Sequence, residues 1–136
     1  MVEMINDQVI LILGHYRIDN LYFPLSLPKK TGMNRITSED CKQLIQTNEA
    51  QLIDIREPWE VEICSIGGTK IPMHRIPEVA ESMDKSVYYI IVCKTGKRAE
   101  SVANLLECAH GFQRVAILEG GITNWFETFE PNYEMY

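Results

Sequence analysis

A chain of 136 residues has room for one domain with its own core, not for two independent ones. Its 46% hydrophobic and 24% charged residues, with 8 glycines and 6 prolines, exclude a disordered or collagen-like chain. The net charge of -6 argues against nucleic-acid binding, which needs a basic patch or stripe, and the one dense basic cluster is Lys94, Lys97 and Arg98.

The first apolar run, "VILIL" from Val9 to Leu13, is far shorter than the roughly 20 residues that span a bilayer. It has no basic flank before it and no small-residue cleavage site after it, so it reads as a buried strand and not as an anchor or signal peptide. Residues 1–33 are expected to form an N-terminal extension with two short strands, "QVILIL" and "DNLYFPL". Two prolines, a glycine and a lysine pair in "FPLSLPKKTGMN" then mark a loop or linker.

From Ile36 onward strands and helices alternate, and residues 34–136 read as the main domain. Thr37 or Ser38 can cap a helix with Glu39 and Asp40 in its first turn and Cys41, Leu44 and Ile45 on its apolar face. "AQLIDI" is a short strand, and "REPWEVEI" opens a helix with Pro58 in its first turn. The turn "SIGGTK" leads to "KIPM", and "IPEVAESM" is a brief helix. "SVYYIIV" is the strongest strand, apolar throughout as a strand covered on both faces should be.

"RAESVANLLECA" places Ala99, Val102, Ala103, Leu106 and Ala109 at helical spacing, with Gly111 as C-cap. "RVAIL" is another strand, and "GGITNWFETF" turns into a final helix. This alternation predicts an α/β fold with a central parallel sheet and helices on both faces. In such sheets ligands sit outside the carboxyl ends of the strands, which is where Cys93 falls.

Between Val92 and that long helix only "CKTGKR" remains. A loop curled at a helix N-terminus aims backbone N–H groups at its centre, and the helix dipole adds positive potential. Lys94, Lys97 and Arg98 act in the same direction, since nearby cations favour a thiolate. Gly96 supplies the backbone angles that let the chain close around an anion. The alternative is an inert core thiol at a strand end, but a core thiol has no use for three cations in the next five residues.

"CKTGKR" resembles the Cys-x-x-Gly-x-Arg active-site loop of the rhodanese family of sulfurtransferases. Over about residues 36–128, "LIDIREPWE" is similar to that family's Asp-x-Arg-x-x-x-Glu segment and "LEGGITNW" to its Gly-Gly-x-x-x-Trp ending. The resemblance implies a rhodanese-like three-layer fold. Its activity would be transfer of sulfane sulfur from thiosulfate or a persulfide donor to a thiophilic acceptor, through a persulfide on Cys93. Lys94, Thr95, Gly96, Lys97 and Arg98 would bind donor and persulfide; no cofactor beyond the covalent persulfide, and no metal, is implied. Ser65 stands where the family commonly has a histidine.

Four residues separate Cys93 from Arg98. The related cell-cycle phosphatases use Cys-x₅-Arg, a larger cradle suited to phosphate, whereas the shorter loop suits one added sulfur. A second reading, from another class, is a sulfur-relay or interaction module active only with a protein partner. The segment "INDQVILILGHYRIDNLYFPLSL" is similar to the closing strands of the adenylating enzymes of molybdopterin and thiamine biosynthesis, some of which end in a rhodanese domain. That similarity implies a place at the end of a larger protein, with a cysteine desulfurase or sulfur-carrier protein as partner; the plainer alternative is a decoration packed on the sheet edge. Neither nucleic acid nor membrane is expected as a partner, and the expected location is the cytoplasm.

Asp54, Arg56 and Glu57 are the candidates for loop support. Asp54 either accepts hydrogen bonds from the loop or, as preferred here, belongs to a buried ion pair or cap that maintains the fold. Glu57 and Glu60 either pair with Arg98 or cap and solvate their helix. Trp59 and Trp125 read as core. The cysteine count and spacing suit reduced thiols better than a disulfide scaffold. Cys108 lies about ten residues, roughly 15 Å, along the helix from the loop, too far to pair with Cys93; it and Cys41 read as core thiols, while Cys64 stays open as a second redox partner. His15, His74 and His110 share no ligand spacing, and His74 and Arg75 read as a solvated loop.

Overall fold

The computed structural model describes residues 3–5, 8–10 and 33–136, and the chain divides into two compact units, Met1–Thr31 and Gly32–Tyr136. In the first, β1 (Glu3–Ile5) pairs antiparallel with β2 (Gln8–Ile10), Met4 opposite Val9. Part of "QVILIL" is therefore a strand, with a partner that precedes it. The strand expected in "DNLYFPL", most of the proline-containing linker, and most of the segment similar to adenylating enzymes lie outside the described residues.

The second unit contains β3 (Arg35–Ile36), α1 (Ser38–Gln46), β4 (Gln51–Asp54), α2 (Pro58–Ile63) and β5 (Thr69–Lys70). A 3₁₀ turn at Met73–Arg75, α3 (Ile76–Val79) and a second 3₁₀ turn at Ala80–Ser82 lead to β6 (Tyr89–Val92). The chain continues through α4 (Lys97–His110), β7 (Val115–Leu118) and α5 (Gly121–Phe129). The five strands form one parallel sheet in the order β3-β7-β6-β4-β5. Thr37 is the cap of α1, its side chain accepting the Asp40 N–H at 3.1 Å.

β6 is central, and every residue of it is buried. Tyr89, Ile91 and Cys93 face a core shared with Ile76 and Ala80 and with Ala99, Val102, Ala103 and Leu106 of α4. Ile90 and Val92 face the opposite core, built with Cys41 of α1 and with Ile122 and Phe126 of α5. This two-sided burial is why the strand reads as a continuous apolar run. Each fully buried isoleucine contributes roughly 1.5–3 kcal/mol.

The long helix departs from its predicted face at its far end, where Ala109 is exposed although the spacing placed it inward. Four-residue strands run about 13 Å, whereas the 14-residue α4 runs about 21 Å, so its last turn passes the sheet edge. Cys108 is exposed too, which corrects its reading as a core thiol; its Sγ donates to Asn104 Oδ1 at 3.4 Å. It sits roughly 200° around the helix from Leu106. Gly111 caps the helix in the left-handed region, φ 76°.

Candidate active site at the end of the central strand

Cys93 follows the last residue of β6, and α4 begins four residues later. Gly96, at φ 102°, is the N-cap of α4, a conformation costly for residues with a Cβ. The turn brings two backbone N–H groups onto the sulfur: Gly96 donates to Cys93 Sγ at 3.0 Å and Ala99 at 3.3 Å. Among the described residues, the N–H groups of Lys94, Thr95, Lys97 and Arg98 meet no protein acceptor. The loop thus combines a helix N-terminus, a held sulfur and uncommitted donors, the elements of an anion cradle.

The loop is also held from outside. The first turn of α5 donates from Ile122 N–H to the Cys93 carbonyl at 2.9 Å and from Thr123 N–H to the Lys94 carbonyl at 3.1 Å. This approach depends on Gly121, whose φ is 65° and where a Cβ would lie 2.5 Å from the Cys93 carbonyl oxygen and collide with that of Lys94. The "GGITNW" segment therefore serves the cysteine loop directly.

Of the two glutamates left open, Glu60 is the one that meets Arg98. Arg98 Nη1 donates to Oε2 at 2.8 Å and Nη2 to Oε1 at 2.9 Å, a bidentate pair. Glu60 also accepts the Glu57 N–H at 2.9 Å and the Tyr136 hydroxyl at 2.8 Å. With its side chain 5% exposed, the Arg98 hydrogen bonds outweigh burial and push the carboxyl down to about 2. Arg98 is raised in turn, chiefly by Glu60 and further by Cys93 and Tyr136. Glu57 forms the N-terminal capping box of α2 with Glu60.

Asp54 and Arg56 form a fully buried ion pair at 2.7 Å. Asp54 accepts from the Arg56 backbone N–H, Nε and Nη2, and no described hydrogen bond joins it to the cysteine loop, which is the preferred reading of this residue. Arg56 reaches the Cys64 carbonyl at 2.8 Å, the Glu60 carbonyl at 3.4 Å and the Tyr136 hydroxyl at 3.0 Å. Burial would lower its pKa, but the hydrogen bonds of Asp54 and Tyr136 leave it raised.

The remaining sequence candidates fall outside this cluster or change role. Trp59 is 57% exposed, which corrects its reading as core; it packs edge-on against the Tyr136 ring at 5.5 Å. Trp125 is half-buried against the α1/α5 core. All four cysteines are free, and burial pushes the Cys41 thiol up to about 12. Cys64 is buried in the core on the face of the sheet opposite that of Cys93. His74 is exposed and lines a groove of about 440 Å³ with Met73 and Leu105, while Arg75 pairs with Glu78. No group of three or more metal-ligating side chains occurs among the described residues, and no described helix is long and apolar enough to cross a membrane.

Residues 37–128 match the Rhodanese-like domain family. The chain belongs to the rhodanese family. A putative sulfurtransferase of Bacillus subtilis is 35% identical over 101 residues, which is 73% of this chain and 96% of that one. A thiosulfate sulfurtransferase of Pseudomonas aeruginosa is 32% identical over 92 residues, 67% of this chain and 82% of the other. A chloroplastic Rhodanese-like/PpiC domain-containing protein of Arabidopsis thaliana is 35% identical over 94 residues, 65% of this chain; the match spans 31% of that protein's length.

A rhodanese-related protein of Thermoplasma volcanium has the same fold, with a TM-score of 0.64 and 25% identity over 71% of this chain and 93% of its own. By family, this rhodanese-like chain is a sulfurtransferase. Two parts of its site were not assigned from the sequence. Glu60 was visible only as one of two alternatives; Tyr136, which bonds both Arg56 and Glu60, carried no sequence signal at all.

Proposed function

We propose that Cys93 is the nucleophile of a sulfurtransferase that accepts sulfane sulfur from a small anionic donor such as thiosulfate, or from a persulfide. The single observation that carries this reading is the sulfur held in a helix-terminal loop by two N–H groups, while four further N–H groups of that loop meet no acceptor among the described residues. The thiolate attacks the outer sulfur of thiosulfate; a Cys93–sulfur bond forms, the donor's sulfur–sulfur bond breaks, and sulfite leaves with the electron pair. The new terminal sulfur carries the negative charge, and the N–H groups of the loop that meet no described acceptor would hold it. A thiophilic acceptor then takes that sulfur and expels the Cys93 thiolate. No cofactor enters this scheme, and the acceptor class extends to a sulfur-carrier protein.

The test is sulfur transfer from thiosulfate to cyanide by the wild type and by Cys93→Ser, with mass spectrometry of the protein after donor treatment. The expected result is one extra sulfur on the Cys93 peptide and turnover in the wild type alone. Turnover that survives in Cys93→Ser would overturn the assignment. Loading from a partner's persulfide but never from thiosulfate would favour the relay module instead.

A further inference from the structure

The segment that follows α5 crosses α2. Tyr133 stacks on Phe126 at 4.3 Å, and its hydroxyl donates to the Ile63 carbonyl at 3.1 Å. These anchors lead to Tyr136, whose hydroxyl accepts from Arg56 Nη1 at 3.0 Å and donates to Glu60 Oε1 at 2.8 Å. Its ring centroid lies 4.3 Å from Lys94 Nζ, and its backbone oxygen accepts from the same ammonium at 2.6 Å. Trp59 packs edge-on against the same ring at 5.5 Å.

Lys94 is the residue next to Cys93 and one of the three cations of the loop. The negative ring face and the backbone oxygen of Tyr136 both offset its charge. Of the three loop cations, Arg98 is balanced by Glu60 and Lys94 is held by Tyr136. Among the described residues neither Lys94 nor Lys97 forms an ion pair, and Lys97 is exposed. Of the three loop cations, Lys97 is thus the one with no described ion pair, hydrogen bond or ring contact of its side chain.

We propose that Tyr136 is a specificity-determining residue that withholds Lys94 from the donor and so favours a singly charged persulfide over a small dianion such as thiosulfate. The attraction of a freed ammonium counts twice for a dianion and once for a persulfide, so holding it disadvantages thiosulfate. This inference rests on Cys93 being the nucleophile, yet the charge at the loop can be measured without any sulfur transfer.

Cys93 in the full chain is alkylated with iodoacetate, an anion, and with iodoacetamide, its neutral analogue, and the modified peptide is quantified by mass spectrometry. The ratio of the two rates cancels accessibility and intrinsic thiol reactivity. Tyr136→Phe keeps the ring and the backbone oxygen, and the wild-type ratio is expected. Tyr136→Ala removes the ring, and the ratio should rise about fivefold, the upper range of one exposed ionic contact; adding Lys94→Gln should cancel the gain. Equal ratios in the Phe and Ala variants overturn the proposal, as does a gain that survives Lys94→Gln. Should Cys93 fail to load sulfur while the ratios behave as stated, the catalytic reading falls and the charge-withholding role of Tyr136 stands.

Discussion

Replacing Glu60 by Gln tests whether the Arg98 pair stabilises the fold through charge or only through shape. The carboxyl is held at about 2, against an ordinary 4.5. At about 1.4 kcal/mol per pKa unit, that displacement corresponds to something on the order of 3 kcal/mol of folding free energy. Arg98 is 35% exposed, and solvent screening on that side brings the expected figure nearer about 2 kcal/mol. Because the folded carboxyl binds its proton more weakly than the unfolded one, the contribution is complete above about pH 5. It is lost as pH falls from about 4.5 toward 2. Urea unfolding of wild type and Glu60→Gln from pH 7 to pH 3 isolates this residue from the other carboxylates. The variant should be less stable by about 2 kcal/mol at neutral pH, and the gap should shrink by more than half by about pH 3. A gap that stays constant across that range would refute the charge argument, and so would a variant as stable as wild type at pH 7.

Two further outcomes follow from the loop. Gly121→Ala should lower stability by at least about 2 kcal/mol and impair sulfur transfer, since a Cβ there meets two backbone carbonyls at a left-handed φ; an unchanged melting midpoint would contradict the packing. Lys97→Glu reverses an exposed charge at the first turn of α4 and should slow thiosulfate turnover about fivefold or more. Its unfolding free energy should stay within about 0.5 kcal/mol of wild type, and a parallel loss of both would count against its role as a solvent-facing cation.

What the sequence showed, it showed where the determinants are local. "YYIIV" followed by "CKTGKR" is contiguous, so strand, turn and helix start are all written within a dozen residues. The Arg98 partner could be narrowed only to Glu57 or Glu60, because residues 38 or more apart meet according to the pairing of β4 with β6. Trp59 was misplaced because α2 has six residues, less than two turns, too few for periodicity to fix which side faces in. Cys108 and Ala109 lie where α4 outruns the sheet, and strand length against helix length decides that point, not helical spacing. Tyr136 depends on how the closing segment crosses α2, a path fixed by the Tyr133 contacts with Phe126 and Ile63.

The three motifs, far apart in the chain, form one mechanical unit, and this bears on how the loop can hold an anion. A loop whose N–H groups point inward must leave its carbonyls pointing outward, and buried carbonyls need donors. Here α5 supplies them to Cys93 and Lys94 through its own unpaired first-turn N–H groups. Two helix N-termini are thus satisfied in series: α5 donates to the loop's carbonyls, and the start of α4 donates to the Cys93 sulfur with further N–H groups in reserve. Glu60 restrains the Arg98 side chain of the same turn from α2. The cradle is therefore set by the sheet and three helices before any donor arrives, so that binding an anion requires little reordering of the loop.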